Sequence, residues 1–195
     1  MKKLIIALLS TVLIAATILL VEANSRLPKG WFTAGNKPIE YEFGIDNSVF
    51  QNGKSSAFIK SKIPKENEFG TLMQYISAEN YFGKRLRLSG YIKSDNVNGW
   101  CGMWMRIDGE MGEQFGFDNM QDRAIKGTSD WQKYEIVLDI PLESNAIAYG
   151  VMLNGNGKIW FDNFRIEAVE RTVPVTNMRQ EMSYPKEPIN MDLEE

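Results

Sequence analysis

Arg85-Leu86-Arg87-Leu88-Ser89-Gly90-Tyr91-Ile92-Lys93, followed by Trp100-Cys101-Gly102-Met103-Trp104-Met105-Arg106-Ile107-Asp108, carries the clearest structural signal in the chain. Both stretches alternate with a period of two. Successive side chains of a strand point to opposite faces, so the pattern predicts two extended segments, each with one apolar side. In the first, Leu86, Leu88, Gly90 and Ile92 share a side, opposite Arg85, Arg87, Ser89, Tyr91 and Lys93. In the second, Cys101, Met103, Met105 and Ile107 form the apolar side, and Trp100, Gly102, Trp104, Arg106 and Asp108 the other. Free cysteine is among the most often buried residue types, so Cys101 is expected to be an inert core thiol.

The same alternation recurs on either side of these stretches. Further strands are expected at 39–45, 56–62, 69–77, 113–118, 132–140, 146–153 and 158–168. Asn52-Gly53, Asn98-Gly99, Asp108-Gly109, Asn154-Gly155 and Asn156-Gly157 separate them as turn signals. No long window shows a sustained helical period. Short strands at this spacing predict an all-β sandwich of two antiparallel sheets. The expected domain runs from 28 to 169. Residues 170–195, with Pro174, Pro185, Pro188 and an acidic end, read as a disordered C-terminal tail.

Lys2 and Lys3 precede an almost unbroken apolar run from Leu4 to Val21, which ends in Glu22-Ala23. This is an address: residues 1–23 are a hydrophobic helix serving as signal peptide or as membrane anchor. The flanking lysines place the N-terminus inside and the domain outside. The chain is therefore expected to be secreted, or anchored to the outer face of the cytoplasmic membrane.

Composition narrows the chemistry. The chain of 195 residues has 22 basic and 25 acidic side chains and no histidine. Its mild net negative charge argues against nucleic acid as a partner. Without histidine, neither a Ser-His-Asp nor a Cys-His arrangement can form, and the commonest metal ligand is missing. Asp108, Glu110, Glu113 and Asp118 lie close in sequence, but nothing there predicts the buried, raised-pKa carboxyl that glycoside hydrolysis requires. No catalysis is expected.

Three further stretches carry a family resemblance: Gly53-Lys54-Ser55-Ser56-Ala57, Thr128-Ser129-Asp130-Trp131-Gln132-Lys133-Tyr134 and Gly157-Lys158-Ile159-Trp160-Phe161-Asp162-Asn163-Phe164. They resemble the jelly-roll modules grouped as carbohydrate-binding modules and galactose-binding-like domains. Leu88 to Lys93, Met103 to Gly109 and Phe117 to Met120 are closer still to a jelly-roll domain fused to some bacterial transcription regulators and exported peptidases. The resemblance implies a jelly-roll β-sandwich whose ligand sits on one sheet. It also implies a structural calcium, for which Asp162 with Glu42 or Asp46 are the matching carboxylates. The other reading of Asp162 is a strand-end carboxylate that caps a turn.

On the polar side of the Trp100–Asp108 stretch, Trp104 and Arg106 are expected to join Gln114 and Asp118 of the next strand, with Tyr91 and Arg87 nearby. Sugar rings have apolar faces and hydroxyl rims, so an indole flanked by Arg, Gln and Asp suits them. The same pattern also fits a plain sheet in which Trp104 packs under a loop and Arg106 merely pairs with Asp118. The expected function is a non-catalytic extracytoplasmic module for carbohydrate or cell-envelope glycan. The alternative is an envelope scaffold whose partner is another protein, reached through the tail.

Overall fold

The structure, a computed structural model, describes residues 27–62, 68–176, 187–188 and 190–192. The apolar segment 1–23 and most of the expected tail lie outside the described residues. Eight strands follow one another: β1 (Phe32–Gly35), β2 (Tyr41–Asp46), β3 (Ser56–Ser61), β4 (Phe69–Ser77), β5 (Arg85–Asp108), β6 (Gln114–Asp118), β7 (Ile125–Asp139) and β8 (Ala146–Val169). Every pairing is antiparallel. Helix is confined, among the described residues, to single 3₁₀ turns.

The two stretches that open the sequence reading are one strand of 24 residues, and so are the two stretches expected around 146–168. β5 and β8 pair along nearly their whole length, and each changes its outer neighbour halfway. The first half of β8 pairs with β4 and the second with β3. The second half of β5 pairs with β6, while β7 lies along the first. The sheet therefore curls into two layers, β1-β4-β8-β5-β6 and β2-β3-β8-β5-β7, both crossed by β5 and β8.

The crossing depends on local chemistry. The register between β5 and β8 shifts between Asp95 and Asn98, where Asn96 and Gly99 both have positive φ (50° and 125°). Gly99 lies opposite Gly155, and a Cβ on Gly99 would strike the carbonyl oxygen of Asn154. Only glycine tolerates that combination of backbone angle and close approach. The Asn98-Gly99 and Asn154-Gly155 pairs, expected as hairpin turns, are bends inside continuous strands.

The main core fills the space between the layers. Leu72, Met103, Met105 and Val151 come from one layer, and Ile59, Leu86, Leu88, Ile92 and Ile136 from the other. All nine are fully buried, and each such aliphatic side chain contributes about 1.5–3 kcal/mol over leaving it in water. Cys101 lies in this core, and burial pushes its thiol up to about 12, so it is unreactive as expected.

Beyond β8 the chain continues along the edge of β7. Thr176 N–H donates to the Val137 carbonyl (2.8 Å), and Val137 N–H donates to Thr176 Oγ1 (2.9 Å). Arg85 Nη1 donates to the carbonyls of Arg171 and Val173 at 2.7 and 2.6 Å. The first residues of the expected tail thus cover part of an otherwise open strand edge.

Candidate functional site

Cross-strand partners share a face, so the register lists what stands beside Trp104. Going outward through β8, β4 and β1, Trp104 is followed by Gly150, Met73 and Phe32. The next row holds Phe117, Arg106, Ala148 and Tyr75. A third holds Gly102, Met152, Thr71 and Ala34, and a fourth Trp100, Asn154 and Phe69. At the far end Asp108 lies opposite Gln114 on one side and Ala146 on the other. This is the face of the β1-β4-β8-β5-β6 layer that points away from the main core.

Its floor is a second apolar cluster of Met73, Trp104, Ala148 and Met152, against which Ala34, Phe69, Trp100 and Phe117 pack. Trp104 is only 7% exposed. Its indole therefore serves as floor rather than as an open platform, while Met103 and Met105 point inward as expected. The exposed rings are Phe32 and Tyr75, at 40% and 50%. They stack with centroids 6.0 Å apart and planes 16° from parallel.

Arg106 lies beside this pair. Its Nη2 donates to Tyr75 Oη (3.1 Å), and its Nε and Nη2 donate to the two oxygens of Asp108 (2.6 and 2.9 Å). The hydrogen bond to Asp108 raises the Arg106 pKa further, so the cation is permanent at any physiological pH. An apolar floor, a stacked aromatic rim and a hydrogen-bonding end converge on one sheet face.

Of the six residues expected to bind ligand, three meet here: Trp104, Arg106 and Gln114. Asp118 does not. A bulge between Ile107 and Asp108 puts Gln114 opposite Asp108 but Asp118 opposite Met105, on the core side. Two residues of equal parity in β6 thereby face opposite ways, which period-two counting along a single strand cannot foresee. Asp118 is completely buried and pairs with Arg123 at 2.6 Å, with its other oxygen accepting the Met120 N–H. Arg106 therefore has Asp108, not Asp118, as its carboxylate partner. Arg87 and Tyr91 lie in the first half of β5, which belongs to the other layer. There Arg87 pairs with Glu167 and Glu135, and Tyr91 lies opposite Asp162 and Lys133. The bend in β5 separates them from Trp104.

Of the three carboxylates expected around a calcium, Asp162 and Asp46 accept hydrogen bonds from neighbouring groups. Asp162 accepts the N–H groups of Gln51, Asn52 and Asn163. Asp46 accepts Ser48 N–H, Ser48 Oγ–H and Val49 N–H on one oxygen, and Trp160 Nε1–H and Lys158 on the other. Although burial pulls the Asp46 carboxyl upward, these bonds outweigh it and hold the group well below the usual carboxylate range. Glu42 lies on the strand surface opposite Lys60. Asp46 and Asp162 thus direct their lone pairs at N–H and O–H donors of the neighbouring loops. Among the described residues no cluster of three or more His, Cys, Asp or Glu is placed to hold a metal. Trp160 is buried behind its bond to Asp46.

Several site residues escape the sequence reading. Phe32 sits in β1, a four-residue strand too short to show alternation. Phe69, Met73 and Tyr75 were legible, since they occupy alternate positions of β4 on one side, but nothing in the sequence says that β4 borders β8 on this face. No family model matches the chain. It is 42% identical over 168 residues to a protein of Bacillus subtilis (strain 168) named as an uncharacterized HTH-type transcriptional regulator, YbfP. The match takes in 86% of this chain, which spans 57% of that protein's length. Among solved structures, the CBM22-1 xylan-binding domain of Paenibacillus barcinonensis Xyn10C superposes with a TM-score of 0.54 at 15% identity, covering 76% of this chain and 90% of that one. The Stig cyclase Fisc from Fischerella sp. TAU gives 0.53 at 14% identity, covering 75% and 88%. At such identities the likeness shows the fold alone, a jelly-roll β-sandwich.

Proposed function

We propose that this chain is a non-catalytic binding module that takes a carbohydrate chain on the outer face of the β1-β4-β8-β5-β6 layer. One observation carries the reading: the exposed, stacked Phe32–Tyr75 pair stands directly beside the Arg106–Asp108 ion pair. The rings offer an apolar surface to a sugar face, while Arg106, Asp108 and Gln114 offer donors and acceptors to the hydroxyl rim. The fold likeness to a xylan-binding domain favours the same ligand class. Asp108 is held by Arg106, and Asp118 is buried in an ion pair, so neither is poised as the acid of a glycosidase. The Lys2-Lys3 start and the apolar run after it favour display outside the membrane, with a cell-envelope glycan as ligand. The kinship to a protein named as a transcriptional regulator favours a second reading, in which a module of this kind reports ligand to a regulatory chain.

The test is a glycan array and affinity electrophoresis on the full chain, compared with Phe32→Ala and Tyr75→Ala. Retention on a defined set of polysaccharides, weakened in both variants, is expected. Retention indifferent to both substitutions, or no retention on any glycan, would overturn the assignment.

A further inference from the structure

Four Asn-Gly pairs occur in the sequence, at 52–53, 98–99, 154–155 and 156–157. The backbone nitrogen that follows an asparagine can attack that residue's side-chain carbonyl carbon and close a five-membered ring. Glycine favours the closure, because it has no Cβ to hinder the nitrogen and its backbone turns freely. By sequence the four pairs are equivalent. The fold makes them unequal.

Three of the pairs are held by the sheet. Gly155 N–H donates to the Glu68 carbonyl (2.9 Å), and Gly157 N–H donates to Ser61 Oγ (3.0 Å). Asn98 and Gly99 lie in the crossing of β5 over β8, opposite Asn156 and Gly155, with the Asn154 carbonyl packed against Gly99. Turning any of these asparagines toward ring closure moves a ladder. Asn52 and Gly53 differ. Both are exposed in the connection between β2 and β3, and nothing lies within 4 Å of a Cβ placed on Gly53. Gly53 N–H donates to Oδ1 of Asn52 itself at 2.8 Å, which holds the nitrogen against the group that it would attack. Asp162 Oδ2 accepts the N–H groups of Gln51 and Asn52, both at 3.0 Å, and so anchors the chain on the other side of the asparagine.

We infer that Asn52 is a site of spontaneous deamidation. The Gly53 nitrogen gives its proton to hydroxide and bonds to Asn52 Cγ. The bond from Cγ to Nδ2 then breaks, and Nδ2 takes a proton from water and leaves as ammonia. Water reopens the cyclic imide without any change of oxidation state. Its addition at Cγ gives aspartate, and its addition at the Asn52 backbone carbonyl gives isoaspartate, in which the chain runs through the former side chain. Either product adds one negative charge close to Asp162. The site is separate from the proposed glycan face, because β2 and β3 belong to the other layer.

The test is to incubate the full chain in mildly alkaline buffer, folded and in guanidinium chloride, and to map its peptides by fragmentation mass spectrometry. The conversion of amide to acid and the isoaspartate fraction are followed at each of the four asparagines. In the folded protein Asn52 should convert at least about tenfold faster than Asn98, Asn154 and Asn156, since those three must first leave their strands. In denaturant the four rates should converge, because the residue that follows is glycine in every case. Asn52→Gln should remove the acidic species that ion-exchange chromatography resolves in the aged parent, and Gly53→Ala should slow its appearance. The inference falls if another of the four keeps pace with Asn52 in the folded protein. It falls equally if folding slows Asn52 by more than about tenfold against its own rate in denaturant.

Discussion

Trp104 donates its indole Nε1–H to Thr71 Oγ1 at 2.8 Å, and Thr71 Oγ1–H donates in turn to the Val151 carbonyl at 2.8 Å. The bond spans β8, which lies between the two strands that carry these residues. It lays the indole along the sheet and satisfies its only polar atom, which is how a tryptophan becomes the floor of an outward face. Thr71→Val should therefore destabilise the fold by about 1–3 kcal/mol, the cost of leaving a buried donor without a partner. Adding Trp104→Phe should cost less in the Thr71→Val background than in the parent, with a coupling of about 0.5–3 kcal/mol by urea unfolding.

The exposed rings predict the opposite profile. Tyr75→Ala and Phe32→Ala remove partly solvated groups, so unfolding midpoints should stay close to the parent. Affinity for the polysaccharide returned by the array should fall about tenfold for each, the scale of one aromatic contact. Thermal melts and affinity electrophoresis on the same samples separate the two effects.

Asp118 and Arg123 are a structural pair, not a binding pair. Arg123→Ala leaves a completely buried carboxylate without its cation, and breaking such a pair costs about 3–5 kcal/mol. Arg106→Ala removes a half-exposed cation from the partly accessible Asp108 and should cost about 1 kcal/mol or less, as a surface pair does. Chemical denaturation of the two variants gives the ranking directly.

Gly99 and Gly53 share a positive φ but not their surroundings. Nothing lies within 4 Å of a Cβ placed on Gly53, whereas one on Gly99 meets the backbone of Asn154. Gly53→Ala should cost about 1 kcal/mol from backbone strain alone. Gly99→Ala should cost at least about 1–3 kcal/mol more, because the crossing of β5 from one layer to the other must shift. Differential scanning calorimetry on both variants tests the contrast.

Asp46 sets an acid dependence. Its folded pKa lies below the unfolded value, so the stability it contributes is present above about pH 4 and is lost as the pH falls toward the folded value. Asp46→Asn should lower the urea midpoint at neutral pH. The gap between parent and variant should narrow below about pH 4, where the unfolded-state carboxyl takes up its proton. A constant gap from pH 7 to the acid limit would contradict the assignment of those hydrogen bonds.

Much of the architecture was legible because alternation is a local property. Leu86, Leu88 and Ile92, or Met103, Met105 and Ile107, face inward wherever their strand lies, since a pleated chain has no other way to arrange them. Ile136 and Leu138 of β7 follow the same rule and are buried. The candidate site was legible only in part, and the failures share a cause. Asn98-Gly99 reads as a turn, yet here it bends one strand through two layers, and that bend removes Arg87 and Tyr91 from the company of Trp104. Asp118 has the parity of Gln114, yet one bulge sends it into the core.

The sequence by itself determined an all-β chain, the inward side of each long strand, and the exclusion of histidine-dependent chemistry, because each follows from residue type and near neighbours. Only the tertiary structure decided that Phe32 stacks on Tyr75, that Arg106 takes Asp108, and that Asp118 takes Arg123. Those contacts join residues brought together by strand order, bulges and bends, and the free energies that select among such registers are summed over the whole sheet.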